Sequence, residues 1–310
     1  MNDEVQPPWA GFWRRIGAFV MDTLIIGVPA YLICFEAFDA FAALGEFGRL
    51  IGLVVATAYF GVFGSKIGDG RTPGKRLFKL RVVGLDGSAL GLDRALGRSF
   101  VLMLPIILNG LFIRDTNSVA ALAFGVIAVT AVFGVGLAQV FLYLFNRPSR
   151  QLLHDLLFGS VVVRLGGVPL ADPTPKVPKY VAYGLVSAVF VLSVGAVSYY
   201  SIAKPVILPG LTKVMHASNA LPEVMETGVT DNYTNFYPAG SSPTVSRTLV
   251  VTVHLRKWPT DLSREFQRIH DVVGQNYALA PGQRMQIRLN YGFDIGIASG
   301  SRNQTETYDH

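Results

Sequence analysis

Residues 68–83 read GDGRTPGKRLFKLRVV, and this segment separates two apolar regions with three glycines, one proline and five basic residues. A phosphate-binding P-loop consists of a glycine, four further residues and then Gly-Lys followed by Ser or Thr. Here Asp69 stands at the first glycine position and Arg76 at the hydroxyl position. The segment therefore lacks two defining residues of a P-loop, and we interpret it as a basic loop between membrane segments.

The composition of the 310-residue chain is that of an integral membrane protein. Apolar residues make up 51% of the sequence and charged residues only 15%, whereas an average soluble domain has about 25% charged residues. The single cysteine, Cys34, provides neither a disulfide framework nor a cysteine metal cluster. The first residues are acidic rather than basic, so we interpret the first apolar run as a retained helix and not as a signal peptide.

Five apolar segments are candidates for membrane-spanning helices, which require about 20 apolar residues. The third segment is shorter than the others and contains Pro105 and Asn109. A buried or re-entrant helix is one interpretation of it. We favour a fifth span, because only residues 114–118 separate it from the next run, as in a tight helical hairpin. The predicted spans are 16–35, 50–64 with its flanking residues, 100–113, 119–145 and 181–202.

The distribution of Lys and Arg predicts the orientation of these spans. Positive charge concentrates in cytoplasmic loops. With the N-terminus in the cytoplasm, fifteen basic residues lie on that side and only Arg49 and Arg114 lie in the opposite loops. The sequence therefore predicts a multi-pass protein of the cell (inner) membrane with a cytoplasmic N-terminus. After five crossings, the C-terminal domain is extracytoplasmic or periplasmic.

In this orientation, residues 68–83 form a cytoplasmic loop close to anionic lipid headgroups. Its basic residues are Arg71, Lys75, Arg76, Lys79 and Arg81. The expected partners are the lipid bilayer and these headgroups, together with a second copy of the chain or a membrane or periplasmic protein. Nucleic acid is not an expected partner, because no aromatic or groove-reading residues accompany the basic patch.

Three motifs, in order along the chain, resemble those of the RDD family of bacterial and archaeal membrane proteins. They are AGFWRRIGAFVMD at residues 10–22, GRTPGKR with LRVV at residues 70–83, and RQLLHDLLFGSVVV at residues 150–163. The family is named for one Arg and two Asp, which by motif position are Arg15, Asp22 and Asp155. The resemblance covers about residues 9–165 and implies a role in transport, with cation/proton exchange proposed for some members. The fifth span and the long C-terminal tail depart from the family pattern.

Asp22 is predicted to lie about 9 Å inside the hydrocarbon region. An unpaired carboxylate there costs about 3 kcal/mol on insertion scales, so we expect a partner, with Arg98 as the first candidate and Arg15 as the second. One hypothesis is that Asp22 binds or relays a cation or proton, and the other is a buried ion pair that fixes helix register. His154 and Asp155 either gate such a site by titrating near neutral pH or provide a helix cap and a packed imidazole.

Two regions outside the spans have β-strand or mixed patterns. Residues 80–83 and 160–163 are β-rich, and Asp86-Gly87 is a hairpin turn signal. They predict a small cytoplasmic β-hairpin or sheet that joins the two motif loops. In the tail, strands are predicted at 246–255, 283–291 and 293–297, and a helix from residue 262 with Asp261 or Thr260 as its N-cap.

The predicted fold class is an α-helical polytopic membrane protein of about five transmembrane helices, with a small cytoplasmic β-hairpin or sheet and a small α+β soluble domain at the C-terminus. The predicted divisions are an RDD-like domain at 1–165, a linker at 166–179, an additional transmembrane helix at 180–202, an extended linker at 203–245 and the α+β domain at 246–310.

Two functions remain open at the level of sequence. The first is transport of a small cation, a proton or another small solute. Its binding or charge network would be formed by Arg15, Asp22, Arg98, His154 and Asp155. The alternative is a membrane anchor or assembly platform that presents an extracytoplasmic recognition domain. We expect no enzyme activity, metal site or cofactor. The sequence contains no Gly-x-Ser-x-Gly nucleophile elbow, no cysteine nucleophile and no His or Cys spacing typical of a metal site.

Overall fold

The computed structural model describes residues 10–109, 119–146, 150–165, 179–207, 209–236 and 244–309. Its helices are α1 Phe12–Glu36, α2 Phe38–Ala42, α3 Gly48–Gly64, α4 Pro73–Leu77, α5 Leu92–Ile107, α6 Val119–Val129, α7 Gly136–Phe145, α8 Leu153–Leu157, α9 Lys179–Ile207, α10 Pro209–Asn219 and α11 Leu262–Asn276. Its strands are β1 Leu80–Gly84, β2 Ser160–Arg164, β3 Val224–Phe236, β4 Thr244–Leu255, β5 Arg284–Asp294 and β6 Ser299–Tyr308.

The chain divides into two compact units. The helical unit comprises residues 1–34, 46–197 and 295–298, and the sheet unit comprises residues 35–45, 198–294 and 299–310. This division differs from the predicted domain boundaries, since residues 35–45 lie within the predicted domain 1–165 but group with the sheet unit. The predicted linker at 166–179 lies outside the described residues except for its last residue.

Helices of the described residues overlap all five predicted spans, although residues 110–113 of the third predicted span lie outside the described residues. Three of them are long and apolar enough to cross a membrane, namely Phe12–Glu36, Ala123–Phe145 and Tyr180–Tyr199. The second of these runs from α6 to α7 through a π-helical turn at Thr130–Val135. Helix α3 has 17 residues and α5 has 16, and α5 begins with a charged turn. The membrane character is therefore supported, whereas the number of five crossings remains a prediction.

A two-stranded antiparallel sheet joins the second and third motifs. Val82 of β1 lies opposite Val162 of β2, and both side chains are buried against Leu80 and Ala18. This confirms the predicted sheet between the motif loops. Asp86-Gly87 does form a turn, but the chain after it continues to α5 without a second hairpin strand.

The sheet unit contains a four-stranded sheet in the order β3-β4-β5-β6. Strands β4 and β5 are parallel and are connected by α11, whereas the outer pairs are antiparallel. Helix α11 packs Phe266, Ile269 and Val273 against the buried residues of these central strands. Its N-cap is Asp261, which accepts a hydrogen bond from the Arg264 amide (3.0 Å).

The strand assignments in the tail require three corrections. Residues 224–236, which fall within the predicted linker 203–245, form β3. The two short strands predicted at 283–291 and 293–297 are mainly one strand, β5, and residues 299–308 form β6. Both β3 and β6 are edge strands with mostly polar side chains, so the alternation of apolar and polar residues that reveals a half-buried strand is weak in them.

Candidate functional site

Asp155 is the centre of a buried ion cluster in the helical unit. Its carboxylate is fully buried. Arg98 donates to Oδ1 from Nε (2.9 Å) and lies 2.8 Å from it with Nη2, and Nη1 of Arg15 lies 3.9 Å from Oδ2. The Ser160 hydroxyl donates to Oδ1 (2.9 Å) and the Leu152 amide donates to Oδ2 (3.4 Å). The cluster thus joins α1, α5, α8 and β2.

The charge state of Asp155 follows from these neighbours. Burial would raise the pKa of its carboxyl group, but Arg98, with His154 and Arg15, holds it below its usual range. The carboxylate is therefore ionised at neutral pH. Arg98 is only 5% exposed and its guanidinium group is paired with this carboxylate. A buried charge of this kind is tolerated only when it is paired.

Arg15 also links three pieces of backbone. Its Nε donates to the carbonyl of Ala10 (3.2 Å), its Nη1 donates to the carbonyl of Arg150 (2.9 Å) and its Nη2 donates to that of Val162 (3.5 Å). These bonds hold the start of α1 against the segment around β2. The geometry gives Arg15 a positioning role in addition to its charge.

His154 is buried beside the ion cluster, with 1% of its surface exposed. Its Nδ1 lies 2.8 Å from Oε1 of Gln139, and its Nε2 lies 3.6 Å from Oδ1 of Asp155. Burial lowers the pKa of His154 to about 3. Asp155 acts in the opposite direction, and the nearby cations offset its effect. This favours the packed, neutral imidazole over a group that titrates near neutral pH.

Asp22 has partners different from those expected. Its carboxylate accepts hydrogen bonds from the Tyr59 hydroxyl (2.9 Å), the Thr72 hydroxyl (2.5 Å) and the Gly74 amide (2.7 Å). The expected pairing of Asp22 with Arg98 or Arg15 is therefore corrected, because both guanidinium groups interact with the other carboxylate, Asp155.

These contacts explain the Thr-Pro-Gly part of the second motif. Thr72 caps α4 by accepting from the Lys75 amide (3.2 Å) while donating to Asp22. Pro73 occupies the first helical turn, where its missing amide hydrogen is not needed. A Cβ at Gly74 would clash with the Ala18 carbonyl and the Asp22 carboxyl group. Asp22 thus fixes the start of α4 against α1.

Of the five basic residues predicted in the loop, Lys75 points into the helical unit. Its ammonium lies 5.5 Å from the centre of the Phe60 ring. Burial, with a further effect of Arg98, lowers the pKa of Lys75 to about 8. Arg81 pairs with the partly exposed carboxylate of Asp69. Arg76 and Lys79 are exposed and Arg71 is half-buried.

Most of these side chains line one cavity of about 450 Å³. Its polar lining consists of Arg15, Asp22, Lys75, Arg98, Gln139 and His154. The remaining lining is mostly apolar and comes chiefly from α1, α5 and α7. Four of the five residues predicted as the charge network therefore face one cavity, and the fifth, Asp155, is paired with two of them. The inward direction of Lys75 was not predicted from sequence.

Asp22→Asn is expected to destabilise the protein. An amide offers one acceptor oxygen in place of two, and its NH₂ group would face donors that the carboxylate now satisfies. Because buried hydrogen bonds to charged groups contribute about 1.5–3 kcal/mol each, we expect a loss of about 3 kcal/mol. Unfolding of the detergent-solubilised chain measures it, with Thr23→Ala on the same helix as the control. Equal stability of both variants and the parent would contradict the structural role of Asp22.

The low pKa of His154 predicts acid sensitivity. Between about pH 3 and 6.5 the unfolded state binds a proton on this residue that the folded state does not. Stability should therefore rise with pH across this window and fall on acidification. His154→Gln should reduce the change of melting temperature between pH 7 and pH 5, whereas His216→Gln, at an exposed position, should not. An unchanged slope in His154→Gln would show that another group is responsible.

Comparisons with known proteins agree with the motifs. The sequence model of the RDD family matches residues 9–159. Uncharacterized protein YckC of Bacillus subtilis (strain 168) is 28% identical over 153 residues, which cover 49% of this chain and 83% of YckC. Uncharacterized protein YxaI of the same organism is 28% identical over 116 residues, which cover 31% of this chain and 76% of YxaI. Residues 9–159, which hold Arg15, Asp22 and Asp155, are therefore an RDD family region.

Proposed function

We propose that the helical unit transports a small solute and that the cavity is its binding site. The observation that carries this proposal is the cavity itself, in which six polar or charged side chains lie among mostly apolar walls. Ligand pockets of about 300–1,000 Å³ usually combine apolar walls with a few placed polar groups. Ionisable side chains within membrane helices, such as Asp22 in α1, are costly, and they commonly mark solute or ion pathways.

We further propose that the chain crosses the membrane five times, with the motif loops in the cytoplasm and the sheet unit outside. The excess of Lys and Arg in the motif loops supports this orientation. Alkaline phosphatase fused after residue 309 should then be active, and the same enzyme fused after residue 165 should be inactive. The reverse pattern, or activity at neither position, would contradict the five-crossing arrangement.

The alternative function is a membrane anchor that presents the sheet unit to a partner. This unit has its own buried core, formed by the central strands and α11, which is what a recognition domain requires. A pure anchor needs no solute cavity, so filling the cavity distinguishes the two functions.

Gly136→Leu should block transport without harming the fold. Gly136 lines the cavity, and a Cβ there would make an ordinary contact of 3.6 Å with Pro105. Leu is also favoured over Gly in helices by up to about 1 kcal/mol. We expect uptake into proteoliposomes, tested with a panel of small cations and anions, to fall at least tenfold. Gly184→Leu is the matched control, since its Cβ would meet nothing within 4 Å. Failure of the parent protein to move any of these solutes above empty liposomes would contradict the transport function.

A further inference from the structure

The charges around the cavity do not balance. Arg15, Lys75 and Arg98 contribute three cations. The carboxylates are Asp22 in the lining and Asp155 beside it. Because His154 is neutral, one positive charge remains without a counter-charge among the described residues around this cavity, whose walls are largely apolar. Such a charge is unfavourable until an anion compensates it.

The uncompensated cation is Lys75. Arg98 is paired with Asp155 at 2.8 Å, and Arg15 is bonded to carbonyl oxygens and lies near the same carboxylate. The Lys75 ammonium forms no ion pair with any residue of the described ranges and lies against the Phe60 ring. Its side chain keeps partial exposure because it lines the cavity.

The position of Lys75 is fixed by its surroundings. It follows Gly74, whose amide donates to Asp22, and its own amide donates to the Thr72 hydroxyl. The backbone of the short helix that carries Lys75 is thus held against α1, and this places the Lys75 side chain at the cavity. Both oxygens of Asp22 accept from neutral donors, so this carboxylate is not positioned to neutralise Lys75 by direct contact.

We propose that the solute of this cavity is an amphipathic monoanion whose acidic group binds Lys75 and whose apolar part contacts the cavity walls. This assignment rests on the proposed transport function for its biological role, but binding can be measured separately. One net positive charge matches one negative charge. The apolar side chains Phe19, Leu102 and Ile106 face the rest of the cavity. They offer no hydrogen bonds to a strongly hydrated inorganic ion, whereas they suit a hydrocarbon or aromatic body.

Benzoate, benzamide and benzylammonium test the required charge with one ring size. The full chain is reconstituted in nanodiscs of neutral phosphatidylcholine, and equilibrium binding of radiolabelled benzoate is measured at pH 7. We expect saturable binding that excess unlabelled benzoate competes and that neither benzamide nor benzylammonium competes. Absence of saturable binding, or equal competition by benzylammonium, would overturn the proposal.

Two variants connect the binding to Lys75. Lys75→Met keeps the chain length but removes the charge, and we expect benzoate affinity to fall at least tenfold. Lys66→Met removes an exposed lysine of the same loop region and should bind as the parent does. Parental affinity in a folded Lys75→Met protein would overturn the assignment, and folding is checked by a melting temperature no lower than that of the parent.

The pH profile gives a second readout. The charged groups around Lys75 are Arg15 and Asp22 from α1, Arg98 from α5 and Asp155 from α8, with the neutral His154 beside them. Since burial lowers the pKa of Lys75 to about 8, its charge is lost as pH rises above that value. Benzoate affinity should therefore decrease between pH 7 and 9.5 in the parent and stay flat in Lys75→Met. A flat profile in the parent would contradict binding through Lys75.

Two further experiments complete the test. The first distinguishes a free anion from a lipid headgroup, and the second distinguishes the anion-site proposal from the transport proposal. Anionic phosphatidylglycerol added to the nanodiscs should leave benzoate binding unchanged if the occupant is a free solute, whereas competition would identify a lipid headgroup and overturn the free solute. Benzoate binding without benzoate flux in proteoliposomes would refute transport but keep the anion site. Flux of cations alone would keep transport and refute the anion site.

Discussion

The ion cluster at Asp155 is the interaction on which the RDD region depends. One buried carboxylate accepts from Arg98 and Ser160 and lies within 3.9 Å of Arg15. These residues come from three parts of the chain, so the cluster fixes α1, α5 and β2 relative to α8. Removing the carboxylate would leave two buried guanidinium groups without a counter-charge, which is far more costly than removing a surface ion pair.

Asp22 provides a second fixed point with a different chemistry. It accepts from a tyrosine hydroxyl, a threonine hydroxyl and a backbone amide, and all three donors are neutral. The carboxylate is therefore used to hold the Thr-Pro-Gly turn in place. Because that turn carries Lys75, the same contacts that stabilise the fold also place a cation at the cavity. Structure and proposed function are thus linked through one short helix.

The sequence revealed the fold of the RDD region better than its contacts. Apolar length predicted where helices lie, and the β-rich runs at 80–83 and 160–163 predicted their pairing. The spacing of Arg15 and Asp22 shows that they share a helix face, but it carries no information about which residues of other helices lie opposite. The partners of Asp22 and the inward direction of Lys75 depend on tertiary packing. The edge strand β3 also depends on tertiary structure, because it is defined by its pairing with β4. Its polar sequence has no clear strand pattern.

A double-mutant cycle on Arg98 and Asp155 tests the central claim most directly. The free energy of unfolding of the detergent-solubilised chain is measured for Arg98→Met, Asp155→Leu and the double variant. Asp155→Leu leaves two buried guanidinium groups without their carboxylate, and Arg98→Met leaves Asp155 with only the more distant Arg15 at 3.9 Å. We expect a loss of about 3–5 kcal/mol for each single change. The double variant should lose much less than the sum, because it leaves neither partner of the 2.8 Å pair. Losses that add within about 0.5 kcal/mol would mean that the two residues act independently, and this result would contradict the account.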